Sequence, residues 1–186
     1  MFRIRNIIIL ALVILTLGIA WKYYKKYKEA EKLKIGEIAL HPTQKITGIN
    51  DVITILKNGL NLEGFVEIRN FSGKDYTLNQ ISLDCFTPNT DKVIAEQTNI
   101  IQKDVNIKNK QLTNIPLKYK VDILNAISLF KECGVVPQNA TVWSIIANPV
   151  ESYKTFDLKK LKVKLKGFIQ AEGITLSINE TYPLYE

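Results

Sequence analysis

The sequence predicts an all-β domain, an antiparallel β-sandwich with one short helix, carried behind a single N-terminal transmembrane helix. Three observations predict it. From Ile7 to Trp21 every residue except Thr16 and Gly18 is apolar or aromatic. Past Gly36 the chain changes to short apolar stretches punctuated by Gly, Asn and Pro. Within those stretches apolar residues recur with a period of two, as they do in a sheet buried on one face. The division this predicts is an anchor and basic stalk over residues 1–35 and a sandwich over 36–186, and a chain of 186 residues that is 46% hydrophobic can bury one such core.

The anchor comes first. Ile4 to Tyr24 would make about 31 Å of helix, which matches a hydrocarbon layer of about 30 Å. Arg3 and Arg5 precede the apolar run and Lys22 follows it. Long basic side chains can snorkel to the headgroups while aromatic rings favour the interface, so the expected interface anchors are Arg3, Arg5, Trp21, Lys22, Tyr23, Tyr24, Lys25 and Lys26. The predicted partner of residues 4–24 is therefore the lipid bilayer, in a single pass. A cleaved signal peptide is the competing reading, because Gly18 and Ala20 stand at minus three and minus one before Trp21. The dense positive charge that follows opposes translocation and favours an uncleaved anchor. A buried core helix would need a polar face, which the segment lacks.

Residues 22–34 read KYYKKYKEAEKLK, a helix-favouring stalk with Lys25 and Glu29 at i,i+4. It can serve as a plain linker or rest on anionic headgroups. Its lysines lean the domain toward the cytoplasm by the positive-inside rule.

Charge location narrows the function classes. The formal charge of +7 is concentrated in residues 1–34, which hold eight Lys/Arg against two Glu, leaving the remainder at +1. A near-neutral domain lacks the cationic excess that phosphate-backbone binding needs, so no nucleic acid is expected as partner. Cys85 and Cys133 form no CxxC spacing, and two unpaired thiols are favoured over a disulfide.

Along the domain, residues 46–56 and 60–69 flank Lys57-Asn58-Gly59, which predicts a hairpin because Asn-Gly suits a type I′ turn. Leu60, Leu62, Val66 and Ile68 alternate with polar residues in the second arm. The same period appears in 78–86, where Ile81, Leu83 and Cys85 share a face, and in 111–121, where Pro116 predicts an edge strand. Residues 93–101 predict another strand, and Leu161 to Leu184 a hairpin around Ala171-Glu172-Gly173. One interior helix stands out in DILNAISLFKECG, with Asp122 as N-cap and Gly134 as the left-handed stop. A second element is expected from Thr141 to Ala147.

The order of LEGFVEIRN ending at Asn70, then LNQISLDCFTPNTDKVIA, then NKQLTNIPLKYKVDI and finally LKVKLKGFIQAEGITLSINETYPL resembles the late embryogenesis abundant type 2 family, the water-stress and hypersensitive-response domain. The likeness is a pattern of hydrophobic positions over residues 46–184. In that family a strand ends in an Asn-Pro corner, whereas here Phe71 follows Asn70. The resemblance implies a fibronectin-like sandwich, a non-enzymatic stress-protective or binding role and frequent membrane attachment. It leans the domain to the extracytoplasmic side, against the charge rule, and sidedness stays open.

No catalytic set is expected, nor any cofactor or metal. His41 is the one histidine and precedes Pro42. With two separated cysteines it makes neither a Cys-His pair nor a transition-metal site. Glu63 and Glu67 share a strand face with Phe65 and Arg69, as solvated alternation would place them. The conspicuous pattern is Lys160, Lys162, Lys164 and Lys166, which line one face of an extended chain. A solvated face or a lysine-guarded edge explains it, and contact with an acidic partner or lipid headgroups is the functional alternative. Asn70, Asn139 and Asn179 begin N-x-S/T sequons. The function expected is a membrane-anchored, non-enzymatic binding or stress-protective module, with a protein-protein adaptor of a cell-envelope or phage assembly as the alternative.

Overall fold

The computed structural model describes residues 2–45, 49–98, 105–147 and 157–185, with the side chains of 2–11, 13, 30, 49, 56 and 146 outside that description. Helix α1 (Phe2–Ala30) is followed by β1 (Leu33–Pro42), α2 (Ile49–Asn58), β2 (Leu60–Asn70), β3 (Tyr76–Phe86), β4 (Val93–Ala95) and β5 (Val105–Ile107). The second half runs β6 (Leu112–Val121), α3 (Ile123–Glu132), α4 (Val142–Ala147), a 3-10 turn at Leu158–Lys160, β7 (Lys162–Ala171) and β8 (Ile174–Pro183).

Two antiparallel sheets form, one ordered β1-β2-β6 and the other β4-β3-β7-β8, with β5 also paired to β3. Alternation decides which faces meet. Leu60, Leu62, Val66 and Ile68 of β2 are fully buried, as are Leu83 and Cys85 of β3 and Val163, Leu165 and Ile169 of β7. Each such Leu, Ile or Val side chain contributes about 1.5–3 kcal/mol by leaving water. Tyr119 of β6 donates its hydroxyl to the Leu83 carbonyl at 3.0 Å, a bond between the two sheets, and burial raises its pKa strongly. On one side the chain after β4 closes the sandwich, since Gln97 bridges Tyr119 and Thr98 donates its amide to the Lys118 carbonyl.

Several expected elements stand where the sequence puts them. The strands over 78–86 and 111–121 form, and Pro116 lies in β6 at the outside of its sheet. The last two strands turn through Glu172 and Gly173, at φ of 46° and 77°, as an Ala171-Glu172-Gly173 hairpin requires. Asp122 caps α3 by accepting the Asn125 amide at 2.9 Å. Gly134, at φ 67°, ends that helix, and Val135 returns its amide to the Phe130 carbonyl.

Other expectations need correction. Residues 49–58 are not the first arm of a hairpin but helix α2, and residues 46–48 of that arm lie outside the described residues. Val52 and Ile55, one helical turn apart, are buried among its described side chains. Gly59 keeps a positive φ of 83°, but as the stop of α2, with its amide bonded to the Ile55 carbonyl at 2.8 Å. Among the described residues three short helices accompany the sheets: α2 was not expected, whereas α4 falls within the second element expected from Thr141 to Ala147. The helical stalk ends at Ala30, and Leu33 already belongs to β1, whose regular pairing is interrupted between Ile35 and Ile38 by a bulge at Gly36 and Glu37. Of the strand expected over 93–101, β4 covers 93–95, and residues 99–101 lie outside the described residues.

Gly64 shows how tightly the three-stranded sheet is built. It sits in the central strand opposite Leu40 and Leu117, and a Cβ there would meet the Ala39 carbonyl oxygen well inside contact distance. Gly64→Ala is expected to lower the unfolding free energy by about 1–3 kcal/mol through overpacking, read as an earlier urea midpoint at unchanged slope. An unchanged midpoint would show that β1 does not lie against β2 in this register.

Candidate functional site

Three of the four lysines stand on an extended strand as the sequence predicts, but Lys160 does not, and the row is not a free basic stripe. Lys162, Lys164 and Lys166 alternate along β7 with the buried Val163 and Leu165, and Lys160 belongs to the preceding 3-10 turn. Because β7 pairs with β3 on one side and β8 on the other, the row lies on an interior strand and guards no edge. Lys164 and Lys166 both reach Asp91, at 3.0 and 2.7 Å, and Lys166 also covers the Phe86 ring at 5.0 Å. Hydrogen bonds from Lys166 and Lys164 hold the Asp91 carboxyl below its ordinary pKa of 3.8. Lys160 lies 3.8 Å from Asp157, which leaves Lys162 as the member of the row with no ion pair among the described residues.

The loop that supplies Asp91 is itself anchored. Glu132 at the end of α3 accepts the Thr90 amide at 2.8 Å and its hydroxyl at 2.6 Å, and also the Asn89 amide. Burial works to raise the Glu132 pKa, but these hydrogen bonds outweigh it and hold it low. Asp91 takes a left-handed φ of 56° in this loop, a conformation Asp tolerates better than most residues.

His41, the carboxylates of β2 and the two cysteines do not form one cluster among the described residues. His41 lies exposed in β1, not in a loop, opposite Glu63. Glu63 binds Lys118 at 3.0 Å and Glu67 binds Arg69 at 2.7 Å, so the two carboxylates serve different ion pairs. Cys85 and Cys133 are both free thiols. Burial pushes the Cys85 thiol far up and the Cys133 thiol up, so neither has thiolate character at neutral pH. Among the described residues no three His, Cys, Asp or Glu side chains gather as metal ligands. A crevice of about 540 Å³ opens between β1 and the end of β8, lined by Ile38, Leu40, Pro42 and Tyr185. Among the described residues the Tyr185 hydroxyl there has no hydrogen-bond partner, and burial pushes its pKa up to about 12.

At the opposite end α1 meets the sandwich. Glu29 pairs with Lys74 of the β2–β3 loop at 3.0 Å, and Phe71 donates its amide to the Lys32 carbonyl at 3.1 Å. The loops at this end are bound together by Asn70, which is fully buried. Its Nδ2 donates to the Lys74 and Ile107 carbonyls, both at 2.9 Å, while its Oδ1 accepts from the amide and hydroxyl of Ser72. The first of the three sequons is therefore a structural corner, whereas Asn139 and Asn179 are exposed.

Of the expected interface residues, Trp21, Lys22, Tyr23, Tyr24, Lys25 and Lys26 are exposed along α1, with Trp21 and Tyr24 in tilted ring contact at 6.0 Å. Arg3 and Arg5 lie in the same helix with their side chains outside the described residues. Among the described residues no helix is long and apolar enough to cross a membrane. The side chains of 7–11 and 13, which belong to the apolar segment, fall outside that set.

No family model matches the chain, and no curated protein matches it. Among solved structures it is similar to a protein from Archaeoglobus fulgidus, at 9% identity and a TM-score of 0.39, covering 81% of this chain and 97% of that one. It is similar also to red sea bream transglutaminase, at 10% identity and a TM-score of 0.39, covering 83% of this chain and 16% of that one. Likenesses at these values carry no argument about function.

The Asp91 pair gives a pH signature. Its folded pKa is depressed, so its contribution is present above the unfolded value and is lost as pH falls through the lower folded value. Asp91→Asn should therefore be less stable than the parent chain at pH 7, with the gap closing as pH drops below about 3.8. Urea midpoints of the two chains across pH 2–7 check this, and a gap independent of pH would contradict it.

Proposed function

We propose that this chain is a single-pass membrane protein whose sandwich acts as a binding or stress-protective module and not as an enzyme. The observation that carries the anchor is the surface of α1. Leu12, Ile14, Leu15, Leu17 and Ile19 are between 49% and 64% exposed, and successive residues rotate by about 100° around a helix, so these apolar side chains face every direction. Among the described residues no protein surface covers them, and water is a costly neighbour for such a helix. A bilayer satisfies all its sides at once.

The non-enzymatic part rests on the occupied carboxylates, the buried high-pKa thiol of Cys85 and an isolated His41. The resemblance of residues 46–184 to the late embryogenesis abundant type 2 family supports the same role. A protein-protein adaptor is the second reading, favoured by Trp143 and Leu124 at the end of the sandwich far from α1. They are 78% and 74% exposed and flank a shallow apolar crevice.

Alkaline carbonate washing of membranes that carry the full chain is expected to leave it in the pellet at its original length. A shortened chain in the supernatant would reject the anchor in favour of a cleaved export signal. Ile14→Arg, near the middle of the expected span, should weaken insertion by about 2.5–3.5 kcal/mol and shift the chain toward the soluble fraction. For the adaptor reading, Trp143→Ala with Leu124→Ala should abolish cross-links to one stoichiometric protein partner in intact cells, and the absence of any such cross-link in the parent chain would remove that reading.

A further inference from the structure

Resting on the membrane-anchored reading above, we propose that the end of the sandwich next to α1, through Phe71, Lys108, Lys110 and Leu112, is a docking face for anionic headgroups of the same bilayer that holds the helix. Distance along the helix places it there. If the span ends at Tyr24, a rise of about 1.5 Å per residue puts Lys26 about 3 Å and Glu29 about 7.5 Å beyond the hydrocarbon edge. The headgroup layer on each side is itself about 5–7 Å deep. The Lys26 ammonium lies against Gly173 in the β7–β8 turn, and Glu29 binds Lys74 in the β2–β3 loop. Those two loops are thus held at headgroup level, with no room for a water layer between.

The chemistry of this end suits that position. Its acidic groups are engaged by the protein: Glu29 by Lys74, Asp75 by the Asn109 amide at 2.7 Å, and Glu172 by the Thr77 amide at 3.2 Å. Lys25, Lys26, Lys32, Lys108 and Lys110 are exposed and make no ion pair among the described residues. Beside them Phe71 and Leu112 are each 59% exposed. Cations flanking apolar side chains match the layered chemistry of an anionic leaflet, with phosphates outside and acyl chains beneath. The face is also preformed. Asn70 ties Ser72, Lys74 and Ile107 together, and Asn109 accepts the Gly73 amide at 3.0 Å, so little ordering is needed on contact.

The test uses the full chain with Gln111→Cys carrying a small fluorophore and Cys133→Ser to remove the competing thiol. It is reconstituted in vesicles of phosphatidylcholine alone, or with a third phosphatidylglycerol, each doped with a lipid spin-labelled on its headgroup. Quenching is expected to rise by about twofold or more in the anionic vesicles. Lys108→Glu with Lys110→Asn should cancel the rise while the chain stays carbonate-resistant; Asn suits the left-handed φ of 55° at position 110. Equal quenching in both lipids and both chains, with the anchor intact, would overturn the docking face alone. Release of the parent chain by carbonate would overturn the anchor and this face with it.

Discussion

Two residues, Glu31 and Lys32, separate the end of α1 from the start of β1, and that shortness constrains the rest of the molecule. Leu33 must enter the core almost as soon as the helix stops. Glu31 and Lys32 still bond their amides back into the helix, while the Lys32 carbonyl already accepts from Phe71. A loose linker would leave helix and sandwich free to take any relative pose. Here the helix end, the first strand and the β2–β3 loop share hydrogen bonds and an ion pair, so whatever holds α1 also fixes which end of the sandwich faces it.

The sandwich beyond that junction places its polar chemistry in structural service. Arg69 and Glu67 bind each other beside Gly36, where a Cβ would collide with both side chains. Lys164 and Lys166 converge on Asp91, and Glu132 holds the loop that presents it. The lysines near α1 and the crevice beside Trp143 far from it remain exposed.

Legibility in the sequence followed the physics of each element. Strands β2, β6, β7 and β8 were readable because one buried face imposes strict alternation, and α3 because Asp122 and Gly134 mark both its ends. The Asn58-Gly59 pair misled because the positive φ that suits a hairpin turn equally suits a helix stop, and that turn signal overrode the helical spacing of Ile49, Val52, Ile53 and Leu56. Strand β1 was hidden by the bulge at Gly36 and Glu37, which shifts its alternation partway. The lysine row was legible as a row, but its partner Asp91 comes from a loop some seventy residues away. The meeting of Lys26 with Gly173 and of Glu29 with Lys74 depends on tertiary placement of turns, which no local pattern encodes.

Neutron reflectometry of the full chain in a supported bilayer containing phosphatidylglycerol tests the central claim most directly, because it resolves protein density along the membrane normal. The account predicts helix density across the hydrocarbon layer and sandwich density that begins within the headgroups, with no intervening water. A hydrated gap of about 10 Å or more between headgroups and sandwich, which is wider than the headgroup layer itself, or an empty hydrocarbon layer, would contradict it.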